Sequence, residues 1–110
     1  MSTHVHRVIV RGFFDGLDDE QAARLRAVQA DHDVLRSQFT ADGSLTYGPD
    51  VAAFSFRFEV RTDADDEPDR HATAVRVGMG RATAALDRMG VGHKHLRASA
   101  ADVADVWRDR

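Results

Sequence analysis

Four arginines have the residue type and spacing that suit binding of an acidic ligand. Arg7 and Arg11 alternate with apolar residues in a β-branched stretch near the start of the chain. Because successive side chains of a strand point to opposite faces, both are expected on one face of a sheet. The same alternation places Arg57 and Arg97 on that face. Convergent guanidinium groups hold carboxylates or phosphates, so we predict a site for a small acidic or aromatic molecule at these four arginines.

A second interpretation of this face is an interface between two copies of the chain. Glu59 is expected beside the arginines, so Arg–Glu pairs could link two such faces. Apolar Ile9 and Phe13 are also expected there and would suit either a ligand or a partner. The leading hypothesis is a cofactor-independent enzyme or ligand-binding domain that forms a homodimer. The alternative is a non-enzymatic interaction module.

Three residues are candidates for proton transfer, and each also has a purely structural explanation. His32 lies on the apolar stripe of a predicted helix, between Asp31 and Asp33, where it could act as a general acid or base or simply pack. Tyr47 could donate a proton or pack its ring. His95 is predicted on the arginine face. Whether the chain is an enzyme stays open at this point.

The sequence predicts neither a metal site nor a cofactor. His4 with His6 and His93 with His95 form two pairs that could bind a metal if they met. The first and last strands are expected to run antiparallel, which would place the pairs at opposite ends of the sheet. The chain has no cysteine and no Gly-rich nucleotide-binding or serine-hydrolase motif.

Composition excludes several classes of protein. The chain has 110 residues, which indicates a single domain over residues 1–110, and a net charge of −3, which argues against nucleic-acid binding. The apolar runs are too short to cross a bilayer. The first residues lack the basic region and apolar core of a secretory signal, so a cytoplasmic location is expected.

Alternation and turn signals predict the secondary structure. Asp18 and Gln21 form a capping box before the first helix, and Gly90 ends the second helix. The predicted elements are strand 4–13, helix 19–37, strand 44–47, strand 54–61, a helix from about Pro68 to Met89, strand 93–99, and a helical turn from Ser99 or Ala100 that carries Val103, Val106 and Trp107.

This β-α-β-β-α-β order predicts an α+β fold of the ferredoxin-like type, with a four-stranded antiparallel sheet and two helices on one face. Phe54, Phe56 and Phe58 alternate with polar residues, so their face is predicted to be the core. The arginines then lie on the opposite, open face.

Five segments are distinctive in their order and spacing: RGFFDGL at 11–17, HDVL at 32–35, FT with GSLTY at 39–47, FSFR at 54–57 and DVADVW at 102–107. Together they resemble a family of short actinobacterial proteins known only as a domain of unknown function. The resemblance covers nearly the whole chain. It implies a bacterial, intracellular, stand-alone domain and implies no catalytic residue.

Overall fold

The computed structural model describes residues 4–32, 38–62 and 67–103, which form an α+β structure. The elements are β1 (His4–Asp15), α1 (Asp19–Ala27), a 3-10 helix (Gln29–His32), β2 (Ser44–Tyr47), β3 (Ala53–Thr62), α2 (Glu67–Met89) and β4 (Gly92–Asp102). The sheet order is β2-β3-β1-β4, and all neighbouring strands run antiparallel. The predicted class, a four-stranded antiparallel sheet with two α-helices, is confirmed, and the 3-10 helix is an addition to the predicted order.

The core lies on the face that the phenylalanine alternation predicts. Phe54, Phe56 and Phe58 are buried on β3, and β1 contributes Val8 and Val10 to the same core cluster. The strand register places Val8 opposite Phe58 and Val10 opposite Phe56, so these side chains share a face. Period-two burial along both strands therefore separates the core face from an open face.

Helix α2 covers the core face through a stripe of small residues and one leucine. Ala74, Gly78, Ala82 and Leu86 are buried at spacings of four residues. Met79, next to Gly78 on this helix, is only partly buried against the core. In the described part of the chain, no helix is both long enough and apolar enough to cross a membrane.

Helix α1 is shorter than the predicted helix 19–37. The capping box is confirmed, because the Asp18 side chain accepts from the Gln21 backbone amide and the Gln21 side chain accepts from the Asp18 backbone amide. The helix ends at Ala27, and the following Val28 is 44% exposed. The chain continues as the 3-10 helix to His32, and the rest of the predicted helix lies outside the described residues.

Strand β4 is longer than predicted and contains a bulge. Its pairing with β1 continues to Asp102, so the helical turn predicted from Ser99 or Ala100 is wrong at its start. Most of that turn, including Val106 and Trp107, lies outside the described residues. The register shifts opposite Gly12, where His95 adopts a φ of 57°. One extra residue in β4 at this point is a β-bulge.

Candidate functional site

The strand register aligns the open-face side chains in rows that run across the sheet. One row crosses all four strands: Thr46 lies opposite Ser55, Ser55 opposite Arg11, and Arg11 opposite Arg97. We call this set the donor row, because every member carries a hydroxyl or guanidinium hydrogen-bond donor. It contains no carboxylate.

Arg11 and Arg97 form the charged half of the donor row. They are direct partners on neighbouring strands, and both are exposed. Like charges directly opposite each other destabilise a sheet. Within the described residues, neither guanidinium has an ion-pair partner. The two positive charges therefore lie side by side with no neighbouring carboxylate among the described residues, although the protein as a whole has a net charge of −3.

Arg7 and Arg57 lie on the same face but contact an aromatic ring. The guanidinium carbons of Arg7 and Arg57 lie 5.2 and 5.6 Å from the ring centroid of Phe39. These distances are typical of cation–π contacts. Phe39 reaches this position because the neighbouring Thr40 pairs with β3, where its carbonyl accepts a 2.8 Å hydrogen bond from the Glu59 amide. No local sequence pattern predicts this role of Phe39.

The described strands carry two carboxylates on the open face, and neither lies opposite Arg11 or Arg97: Glu59 is the cross-strand partner of Arg7, and Asp15 is that of Gly92. Glu59 lies 3.7 Å from Arg61. At the far end of the sheet, Asp15 lies 3.7 Å from Lys94. Such exposed pairs are weak and screened. They leave the charge of the donor row uncompensated.

Arg11 lines two surface hollows. One, of about 280 Å³, is lined by Ile9, Arg11, Arg97, Ala98 and Ser99. The other, of about 400 Å³, extends toward β2 and is lined by polar and apolar residues, among them Arg11, Gln29, Thr46, Tyr47, Ala53 and Ser55. A ligand larger than a single anion could therefore contact Arg11 and occupy both hollows.

The three proton-transfer candidates do not come together. His95 lies on the open face, where its ring meets Phe13 edge-on with centroids 6.1 Å apart. Tyr47 is buried on the core face and donates its hydroxyl to the Leu25 carbonyl. His32 stacks on Tyr47 at 5.3 Å, and its Nδ1 lies 3.2 Å from the Leu45 carbonyl oxygen. The His32 ring and the Tyr47 hydroxyl therefore lie on the core face, although Tyr47 also lines the 400 Å³ hollow that Arg11 borders.

Burial also limits Tyr47 as a proton donor. Desolvation raises the pKa of the Tyr47 hydroxyl above its ordinary value of 10, and the negative charge of Asp31 raises it further. The proton is held on the hydroxyl and is already donated to Leu25. Tyr47 therefore has a clear structural role in fixing α1 to β2.

The histidine pairs lie at opposite ends of the sheet, as predicted: His6 pairs with Asp102, and His93 pairs with Phe14. The carboxylate of Asp102 lies 3.2 Å from Nδ1 of His4, a contact that the histidine spacing does not predict. Across residues 4–32, 38–62 and 67–103, no group of three or more His, Cys, Asp or Glu side chains is placed to hold a metal ion.

Among the residues that the structure describes, His6 is the only buried histidine. It is 2% exposed, and neither ring nitrogen has a hydrogen-bond partner in the described part of the chain. Desolvation lowers the pKa of His6, and the facing Asp102 carboxylate opposes this effect. The imidazole is therefore held in its neutral form by its surroundings.

Comparison with known proteins assigns the chain to a family. The sequence model of one family matches residues 1–110, and its description is family of unknown function, DUF6204. Since the match spans the whole sequence, the chain belongs to this family, which confirms the resemblance to proteins of unknown function. Searches of curated proteins and of solved structures each returned no significant match.

Proposed function

We propose that this member of a family of unknown function binds a small acidic molecule on the open face of its sheet. The observation that carries the proposal is the direct pairing of Arg11 with Arg97, with no described carboxylate to compensate either. Uncompensated guanidinium groups facing each other are unfavourable in the free protein. A bound carboxylate or phosphate would remove this repulsion and gain charge-assisted hydrogen bonds.

Arg7 and Arg57 contribute to the same proposal in a different way. Their contacts with Phe39 hold the long side chains over the face and reduce the rotamer freedom that is lost on binding. Cation–π contact uses the flat face of a guanidinium and leaves its N–H edges available to an anion. We propose that these two arginines flank the ligand, while Arg11 and Arg97 hold its charge.

The fold supports an open face of this kind. The strand order β2-β3-β1-β4, with α2 against the core face, supports the ferredoxin-like arrangement that we propose for the chain. If the ligand undergoes a proton transfer there, His95 is the candidate acid or base, because the Tyr47 hydroxyl is already bonded to Leu25 and the His32 ring packs on Tyr47. An actinobacterial origin and a cytoplasmic location stay predictions.

A thermal-shift titration with small carboxylates and phosphates tests the proposal. A bound acid raises the melting temperature by mass action. We expect this rise to be lost in Arg11→Gln and retained in Arg76→Gln, which removes an exposed arginine from α2 on the other side of the sheet. If no acid shifts the wild type, or if the two variants respond alike, the proposal is wrong.

Homodimerisation through the open face is the second candidate function. It is favoured by Phe13, a large apolar side chain that is 40% exposed on this face, near the partly buried Ile9. Light scattering across a concentration series would detect the dimer, and Phe13→Ser should weaken it. Phe13→Ser leaving the mass unchanged would count against an interface at this face.

A further inference from the structure

The donor row is longer than a single anion requires. Four strands lie side by side with about 4.8 Å between neighbours, so the row from Thr46 to Arg97 extends about 14 Å. Its two halves differ chemically: Arg11 and Arg97 carry positive charge, whereas Ser55 and Thr46 are neutral hydroxyls. A ligand that matched the row would be anionic at one end and uncharged but polar at the other.

We infer that the ligand is a phosphate monoester with a hydroxyl-bearing carbon skeleton. The phosphate lies between Arg11 and Arg97, and the skeleton lies along Ser55 and Thr46. This inference rests on the proposed binding of an acid to the open face and specifies its chemical class. The two hollows that meet at Arg11 provide the space for both ends of such a molecule.

The charge of the arginine pair favours phosphate over carboxylate. A carboxylate carries a single negative charge, which compensates one guanidinium and leaves the positive charge of the second uncompensated. A phosphate monoester carries up to two negative charges near neutral pH and has three terminal oxygens. It can therefore accept from both Arg11 and Arg97. The Ser99 hydroxyl lines the same hollow and supplies a further donor.

The hydroxyl half of the row favours a hydroxylated skeleton. Thr46 Oγ1 is buried and has no hydrogen-bond partner within the described residues, although Thr46 lines the larger hollow. A hydroxyl both donates and accepts, so Ser55 can pair directly with a ligand hydroxyl. Thr46 can do so once its side chain rotates to turn the buried Oγ1 toward the hollow. Pro49 and Ala53 border the same hollow and would contact the carbon atoms.

Isothermal titration calorimetry with three probes tests the inference. Glucose 6-phosphate carries both features, glucuronate replaces the phosphate by a carboxylate, and inorganic phosphate lacks the skeleton. We expect glucose 6-phosphate to bind most tightly of the three. Arg97→Gln should weaken its binding by about 10- to 100-fold, the effect of losing a hydrogen bond to a charged group. Arg76→Gln is the matched control and should bind like the wild type.

A separate variant tests the hydroxyl half of the donor row, which consists of Ser55 and Thr46. Thr46→Val removes the hydroxyl with little change of shape, so it should weaken glucose 6-phosphate and leave inorganic phosphate unaffected. Melting temperatures of all variants would establish that they are folded.

The outcomes separate this inference from the proposed function. If glucuronate binds as tightly as glucose 6-phosphate and Arg97→Gln weakens both, the face binds acids but the assignment to phosphate esters is wrong. If Thr46→Val changes no affinity, the placement of the skeleton is wrong. If none of the probes, and none of the acids in the thermal-shift titration, binds, both proposals are wrong.

Discussion

Gly78 of α2 lies directly against Val8 of β1. A Cβ atom at Gly78 would come 2.6 Å from Val8 Cγ1, a distance that real Cβ atoms essentially never show. Val8 is fully buried and cannot move aside without disturbing Phe58, which lies opposite it on β3. The absence of a side chain at Gly78 therefore sets how closely α2 approaches the sheet.

Gly78→Ala should destabilise the protein, while Gly80→Ala should stabilise it. Overpacking a core costs about 1–3 kcal/mol, which outweighs the gain of about 1 kcal/mol in helix propensity. A Cβ at Gly80 meets nothing within 4 Å, so only the propensity gain applies there. Urea unfolding would measure both changes. Equal free energies of unfolding for the two variants would contradict the packing described here.

Arg97→Glu should raise the stability of the ligand-free protein. The substitution replaces repulsion with attraction opposite Arg11, and cross-strand charge pairs contribute about 0.2–1 kcal/mol. Chemical denaturation in low salt would measure the gain, which should shrink in about 1 M salt, where the screening length is near 3 Å.

The Arg11→Gln background is the control for this charge effect. There Arg97→Glu has no cation to face, so the gain should disappear. A gain that persists in this background, or that is independent of salt, would show that Arg11 is not the cause.

His6 should make the protein less stable in mild acid. Burial lowers the pKa of folded His6, Asp102 raises it, and the positive charges of His4, Arg70 and His71 lower it. As the pH falls through about 6.5, the unfolded chain takes up a proton that folded His6 resists. The contribution is therefore fully present above about pH 6.5 and is lost as the pH approaches the lowered pKa of the folded state.

His6→Leu should flatten this part of the pH profile. Leucine does not titrate. The substitution also removes no hydrogen bond within the described residues, because neither ring nitrogen of His6 has a partner there. The free energy of unfolding between pH 7.5 and 5.5 should fall less steeply than in the wild type. His95→Asn is the control, because His95 is exposed and asparagine tolerates its positive φ. Identical profiles for His6→Leu and wild type would exclude His6 as the source.

Tyr47→Phe should cost about 1–2 kcal/mol, because the Leu25 carbonyl would lose its buried hydrogen bond. Thermal and urea unfolding would measure the loss. Since the pKa of folded Tyr47 is raised above 10, the wild type should also lose stability as the pH rises beyond 10. That alkaline loss should be smaller in Tyr47→Phe, and an equal loss in both proteins would refute the role given to the hydroxyl.

Local patterns were sufficient to predict the sheet and its core face. Phe54, Phe56 and Phe58 alternate strictly, and burial on one face of a strand produces this pattern directly. The capping box of Asp18 and Gln21 likewise depends on residues three positions apart. Because the open face is the complement of the core face, the positions of Arg11 and Arg97 followed from the same alternation.

Features that depend on distant contacts were not predictable in this way. The end of α1 was missed because Val28 fits the helical period, yet Gln29 instead donates a 3.0 Å hydrogen bond to the Tyr47 carbonyl on β2. Phe39 has no periodic neighbours, and its place over Arg7 follows from the pairing of Thr40 with β3. The alanine-rich end of β4 favours a helix locally, but pairing with β1 holds it as a strand.

The bulge in β4 also limits how chains of this protein can aggregate. β4 lies at the edge of the sheet, where its unpaired amide and carbonyl groups could template further strands. The extra residue at His95 breaks the regular hydrogen-bond spacing, and the neighbouring Lys94 adds an exposed charge. An incoming strand could match only one side of the bulge, so stacking of molecules into a continuous cross-β fibre is disfavoured along this edge.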